Sequence, residues 1–237
     1  MLNYETVRRR KDVIVMKTLV IVSHPNLQES LNQQFFKEAS QSLSITWHHL
    51  ESVYPAGEIN QNDELALLAT HERIIFQFPL YWYSAPAHLK IWQDTVLAKA
   101  SKVLKGKDFG VVVTTGVAEK EYQAGGKEEF TLSEFLRPYQ RIAHKFQMNY
   151  LPPFVLAQFM YQTSEIRFER LIAYQQYLSL TGKPSLVQRI NWFLEQIEKN
   201  THFSEPQKSY LLDGLKEQQE MIEDLTFTLG ELKEENE

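Results

Sequence analysis

The sequence predicts an α/β protein: a three-layer sandwich in which a five-stranded parallel sheet of order 2-1-3-4-5 carries helices on both faces. Short apolar runs rich in β-branched residues alternate along the chain with segments of helical period. Each connection between strands is long enough to hold a helix, and right-handed crossovers then place helices over both faces. No repeat with a period of roughly 20–50 residues occurs, which excludes a solenoid.

The elements follow in order. Thr18–Ser23 (TLVIVS) is a continuous β-branched run, as a strand buried on both faces requires. Ser30 and Gln33 have capping-box spacing, and Leu31, Phe35, Ala39 and Leu43 then recur at helical spacing. Residues 45–50 (ITWHHL) read as a second strand, and residues 62–71 as a short helix. Residues 73–78 (RIIFQF) are the third strand, ended by Pro79. Residues 86–99 form a helix with Leu89, Trp92, Val96 and Lys99 on one side. Residues 108–115 (DFGVVVTT) are the fourth strand, ended by Gly116. A helix over 132–146 begins or breaks near Pro138. Beyond Pro152-Pro153, Phe154–Ala157 is a short fifth strand. Residues 165–180 are helical, Gly182-Lys183-Pro184 stops them, and Ser185 caps a helix through Glu198. Ser204-Glu205-Pro206 opens a last helix with Leu211, Leu215, Ile222, Leu225 and Leu229 on one stripe. That stripe packs on the body or on a dimer mate.

Three domains are expected: an extension over 1–15, a body over 16–182 and a helical extension over 183–237. The first carries Arg8, Arg9, Arg10 and Lys11 but lacks the long apolar core and small-residue cleavage site of a signal peptide. It reads as a non-native or frayed segment.

Composition narrows the function. The 237 residues are 43% hydrophobic and 23% charged, ordinary for a folded chain. There is no cysteine, which excludes a disulfide scaffold, a thiolate-bound metal or iron–sulfur cluster and a cysteine nucleophile. No apolar run approaches the roughly 18 residues that span a bilayer. The expected location is therefore cytoplasmic, with no metal and no nucleic-acid partner. The net charge of −5 is unevenly spread: Thr201–Glu237 holds ten acidic residues against three lysines, while residues 16–200 balance to zero.

In open parallel sheets, ligands bind beyond the carboxyl ends of the strands, where strand order reverses. The loop after the first strand, Ser23 to Asn32, leads into a helix N-terminus, a natural anion site with His24, Ser30 and Asn32 as added donors. It has neither GxGxxG nor GxxxxGK[ST], so it binds phosphate without those glycines or is an ordinary capped helix start. The loop after the third strand sets Tyr81, Trp82 and Tyr83 between Pro79 and Pro86. Consecutive aromatics on a proline-stiffened loop suit a planar cofactor, a dimer interface or both. The loop after the fourth strand offers Thr114, Thr115 and Gly116, then Tyr122 in a polar stretch.

Together these segments resemble the NAD(P)H:quinone oxidoreductase family of flavodoxin-like fold. That family includes modulators of drug activity, general stress oxidoreductases and ancillary proteins of potassium-efflux systems. The resemblance covers Lys17–Leu180 and rests on VIVSHPNLQESLNQQF, FQFPLYWYSAPAHLKIWQDTVL, VVVTTG and LRPYQRIAHKFQMNYLPPF. It implies FMN or FAD as cofactor, FMN favoured, with NAD(P)H as substrate and quinones as acceptors. It further implies a homodimer turning over by ping-pong hydride transfer. By position, His24, Ser30, Leu31 and Asn32 would meet the flavin phosphate. Pro79, Leu80, Tyr81, Trp82 and Tyr83 would present backbone to the ring system. Thr114, Thr115 and Gly116 would follow its other edge, with Tyr122 near the flavin carbonyl as the catalytic residue, so that Tyr122 alone, or solvent, supplies protons. Two departures stand out. Val117 replaces a glycine common in relatives, and no histidine follows Tyr122, so a Tyr–His relay does not carry over. The alternative the resemblance allows is a regulatory ancillary subunit of a potassium-efflux transporter with residual oxidoreductase activity.

Overall fold

The structure, a computed structural model, describes residues 16–182 and 184–234. The expected extension over 1–15 lies outside these residues, as does Lys183 of the helix stop. The chain divides into two compact units between Ser179 and Leu180.

The first unit holds the sheet. β1 (Thr18–Val22) is buried throughout and pairs in parallel with β2 (Ile45–His49) on one side and β3 (Arg73–Pro79) on the other. In register, Val20 lies between Trp47 and Ile75. β4 (Asp108–Thr115) pairs with all of β3 through Asp108–Thr114. The order 2-1-3-4-5 is that expected, but the fifth lane is split. β5 (Asn149–Tyr150) pairs with Asp108 and Phe109, and β6 (Phe154–Ala157) pairs with Val112–Thr115. Pro152-Pro153 lies between them and supplies no N–H for the ladder; β6 is the expected fifth strand, and β5 is a further short pairing before the prolines.

The strands alternate between two cores. Leu19, Ile21, Phe76 and Val111 join Trp92 and Tyr139 on one face; Val20, Val22, Ile75 and Val112 join Phe36 and Tyr174 on the other. Period-two alternation within buried strands thus serves two helical layers at once. α1 (Leu31–Gln41) and α8 (Ser164–Ser179) cover the second face. The first is covered by α3 (Gln61–Ala69), α4 (Ala87–Val96) and α7 (Arg137–Lys145). Short helices α2 (Leu50–Val53), α5 (Ser101–Leu104) and α6 (Leu132–Phe135) turn the chain between elements. The helix expected over 132–146 breaks at Leu136, and Pro138 sits in the first turn of α7, where its missing N–H costs nothing.

Buried polar groups tie the layers. Glu64 on α3 is 1% exposed and accepts hydrogen bonds from Trp92 Nε1 (2.7 Å), Tyr54 OH (2.7 Å) and His48 Nε2 (2.8 Å). Burial alone would push its pKa up, but these bonds outweigh it and the pKa is lowered. Arg73, fully buried, pairs with Asp108 at 2.9 Å and also donates to the Tyr177 carbonyl. Gln77 of β3 donates to Gln33 of α1 and accepts from Tyr174 of α8, both at 2.7 Å.

The second unit contains α9 (Leu186–Lys199) and α10 (Glu205–Glu234), which pack on each other. Ser185 and Gln188 form a complete capping box at the start of α9. No helix among the described residues is long and apolar enough to cross a membrane.

Candidate functional site

A cleft of about 250 Å³ opens at the carboxyl edge of β1, β3, β4 and β6. It lies where the strand order reverses between β1 and β3, as the general rule for open α/β sheets requires.

The first wall comes from the loop after β1. Ser23 N–H bonds the Gln77 carbonyl (3.0 Å), so the β1–β3 ladder continues to the loop's start. His24 is 7% exposed, and its Nδ1 accepts the Asn26 N–H at 3.1 Å. Burial lowers its pKa below the usual 6.5, against the charge of Glu51. The neutral ring therefore carries its proton on Nε2, which lies 3.4 Å from Tyr81 OH. Ser30 caps α1 by accepting the Gln33 N–H at 3.4 Å. Only half of the expected capping box forms, because Gln33 is drawn into the sheet to bond Gln77. His24, Ser30 and Asn32 all line the cleft.

The second wall is the β3 exit. Leu80 N–H bonds the Thr114 carbonyl (2.9 Å), and Pro79, Leu80 and Tyr81 face the cleft. Tyr81 and Ser84 then exchange backbone hydrogen bonds at 2.9 and 3.0 Å around Trp82 and Tyr83. Both central residues have positive φ, 50° and 63°. This is the two-residue turn that usually takes Asn-Gly, here built from two aromatics at a steric cost. Trp82 projects 94% exposed, and Tyr83 stacks on Phe135 with ring centroids 5.0 Å apart.

The third wall is the β4 exit, with Thr114, Thr115 and Gly116 on the cleft. Thr115 Oγ1 donates to the Val117 carbonyl at 2.7 Å, which bends the chain away from the sheet. Tyr122 packs edge-on against Phe135 (6.1 Å) and is 8% exposed. Burial first, and the charge of Glu128 second, raise its phenol pKa, with a bond to Thr115 acting the other way. Leu31, Trp82, Tyr83 and Tyr122 do not line the cleft; the other expected site residues do.

A fourth wall escaped the sequence reading. After β6, Gln158 adopts a left-handed conformation (φ 49°) and gives its N–H to the Thr115 carbonyl (2.9 Å). Phe159, Met160 and Tyr161 then close the cleft. Arg167 of α8 holds this wall, its guanidinium 4.7 Å from the Phe159 ring centre and an Nη atom 3.3 Å from the Met160 carbonyl. The strand-end rule applied to the fifth lane would have found it, since QFMY directly follows β6.

Among the described residues no cluster of three His, Cys, Asp or Glu side chains could hold a metal ion. The donor set instead suits an organic anion with a flat body. Hydroxyl, amide and helix N–H groups gather at one end, and a stiff apolar wall with threonine hydroxyls stands at the other.

Fold and cleft together define an open, doubly wound α/β protein with a cleft at its topological switch point. The chain belongs to the family described as having the flavodoxin-like fold, whose profile matches residues 16–178. It is similar to an NADPH-quinone reductase from P. pentosaceus of known structure, at 44% identity and a TM-score of 0.66, covering 70% of this chain and 100% of that one. The structure of general stress protein 14 in complex with FMN from Treponema denticola is 32% identical, with a TM-score of 0.60, over 68% of this chain and 95% of that one. A glutathione-regulated potassium-efflux system ancillary protein, KefG, from Cronobacter sakazakii is 40% identical over 59% of this chain and 80% of its own.

Proposed function

We propose that this chain is an FMN-dependent NAD(P)H oxidoreductase that passes two electrons to quinones or similar flat acceptors in a ping-pong cycle. One observation carries the proposal. A helix N-terminus with Ser30 and Asn32 shares a single cleft with the Pro79-Leu80-Tyr81 wall and the Thr114-Thr115-Gly116 edge. The FMN-bound Treponema relative and the quinone reductase relative support the same assignment.

When bound, the flavin supplies the hydride chemistry; the protein supplies binding, orientation and electrostatics. The α1 N-terminus, Ser30 and Asn32 hold the phosphate, Leu31 contributing its backbone N–H. Neutral His24 donates from Nε2 without adding charge. Pro79 and Leu80 shape one wall of a flat slot for the ring system, held rigid by the Leu80 N–H bond to the Thr114 carbonyl. Trp82 and Tyr161, 94% and 83% exposed, serve as the apolar rim against a second copy in a homodimer. Tyr122 is the proton source nearest Thr115. Its phenol is protonated at neutral pH whatever the shift, and burial, by raising the pKa, makes it a weaker acid than a free tyrosine.

Purified protein loaded with FMN is expected to be yellow and to oxidise NADH or NADPH with menadione as acceptor. Mass analysis of the released cofactor distinguishes FMN from FAD. A protein that takes up neither flavin refutes the assignment. The KefG relative favours a second role as an ancillary subunit of a potassium-efflux transporter. Co-purification with such a transporter, and altered transport on deletion, would establish it.

A further inference from the structure

Behind the first loop lies a polar cluster that the function above does not use. His49 ends β2 and is 8% exposed. Its Nε2 lies 3.0 Å from the His24 carbonyl oxygen and 3.2 Å from Glu51 Oε2, and its Nδ1 lies 2.6 Å from Ser52 Oγ. The other Glu51 oxygen accepts the Ser23 hydroxyl at 2.6 Å. The β2–α2 corner therefore grips both residues that open the cleft's first wall, one through its hydroxyl and one through its carbonyl. Pro25 follows, with φ fixed by its ring, so a pinned His24 carbonyl leaves the path to Asn26 little freedom. The His24 ring is in turn locked by the Asn26 N–H.

A buried ion pair is a poor way to gain stability, because desolvation offsets most of the attraction. What this pair supplies is a fixed loop. We propose that His49 and Glu51 are positioning residues for the anion end of the cleft, holding Ser23 and His24 in place for a phosphate group. The charge on His49 then sets how tightly that phosphate is held. The proposal rests on the flavin assignment above.

The electrostatics give the sign. Burial alone would lower the His49 pKa, but the bonds to Glu51 and the His24 carbonyl outweigh it, so the pKa is raised above 6.5. Lys37 of α1 opposes the rise. Burial would raise Glu51, but its bonds to His49 and Ser23 lower it. The charged and titratable groups around His49 are thus Glu51 of α2, His24 of the loop and Lys37 of α1. While His49 is protonated, the pair is neutral. Once pH rises through the His49 pKa, the Glu51 charge is left unbalanced behind the phosphate, and phosphate affinity falls.

The test titrates wild-type and variant proteins with FMN and with riboflavin across pH 6–9, reading flavin fluorescence, with thermal melting as a check on folding. Wild type is expected to prefer FMN over riboflavin, with a preference that declines as pH rises. The second ionisation of the FMN phosphate, near pH 6, is common to all variants and cancels between them. His49→Phe is expected to lose roughly tenfold in FMN affinity, about one charge-assisted hydrogen bond, with riboflavin affinity unchanged. His49→Gln, which can still donate to the His24 carbonyl, is expected to restore part of that loss without the pH response. Glu51→Gln is expected to move the decline to lower pH, since His49 loses its acidic partner. A His49→Phe protein with the wild-type FMN preference and pH profile overturns the proposal. So does a Glu51→Gln protein whose decline stays at the wild-type pH. If wild type binds neither flavin, the functional assignment fails, and this proposal with it.

Discussion

Glu64 shows how one buried carboxylate can join elements distant in sequence. Tyr54, His48 and Trp92 all donate to it, so α3 is tied to β2 and α4 through a single side chain. Removing it strands the fully buried Trp92 Nε1 and two half-buried donors, Tyr54 and His48. Glu64→Ala is expected to cost about 3–5 kcal/mol in urea unfolding, as when one partner of a buried polar set is lost. Its lowered pKa also fixes a pH window. Stability from Glu64 is fully present above the unfolded carboxylate pKa, near 4.5, and is lost as pH falls through the lower folded value. Melting temperatures measured from pH 7 to pH 3 should therefore fall more steeply for wild type than for Glu64→Gln. Gly110, mid-strand in β4, tests packing. A Cβ there would collide with the Tyr177 hydroxyl and come within 2.7 Å of Ile75 Cδ1. Gly110→Ala is expected to destabilise by about 1–3 kcal/mol in the same assay.

At the scale of elements, the Tyr81–Ser84 turn spends stability that an ordinary sequence would keep. Trp82 at positive φ makes no ring–ring contact among the described residues, while Tyr83 gains its stack on Phe135. Trp82→Asn places a residue that tolerates this conformation and is expected to stabilise by about 1 kcal/mol in thermal unfolding. If the exposed indole serves ligand or partner, the same variant raises the quinone KM despite melting higher. The sequence made this loop conspicuous because three aromatics between prolines have no core role. It hid the turn's geometry, because neither Trp nor Tyr signals left-handed backbone. The loop after β1 was legible from its place before a helix start. Its clamp was not, because His49 and Glu51 come from another strand and only the β1–β2 pairing brings them near. The Gln158–Tyr161 wall was missed for a similar reason: Phe159 reads as core and is indeed 6% exposed, while Met160 and Tyr161 reach the cleft only after the bend at Gln158. The split fifth lane was partly visible in Pro152-Pro153, but the pairing of Asn149–Tyr150 depends on β4 and not on local pattern.

For the whole molecule, every cleft residue lies in the first unit. A chain ended after Gly182 is therefore expected to bind FMN as tightly as the full chain in fluorescence titration. A loss beyond tenfold would assign the acidic C-terminal helices a part in binding. The interrupted fifth lane has a consequence for solution behaviour. A sheet's outer strand offers a row of unpaired amides that can recruit a neighbouring chain. Here that row is two residues, then a gap holding two prolines, then four residues. Neither stretch is long enough to template an extended strand from another molecule, and the prolines prevent the two from acting as one. The break thus denies a neighbouring chain a continuous edge to pair with, on the side of the sheet nearest the cleft's fourth wall.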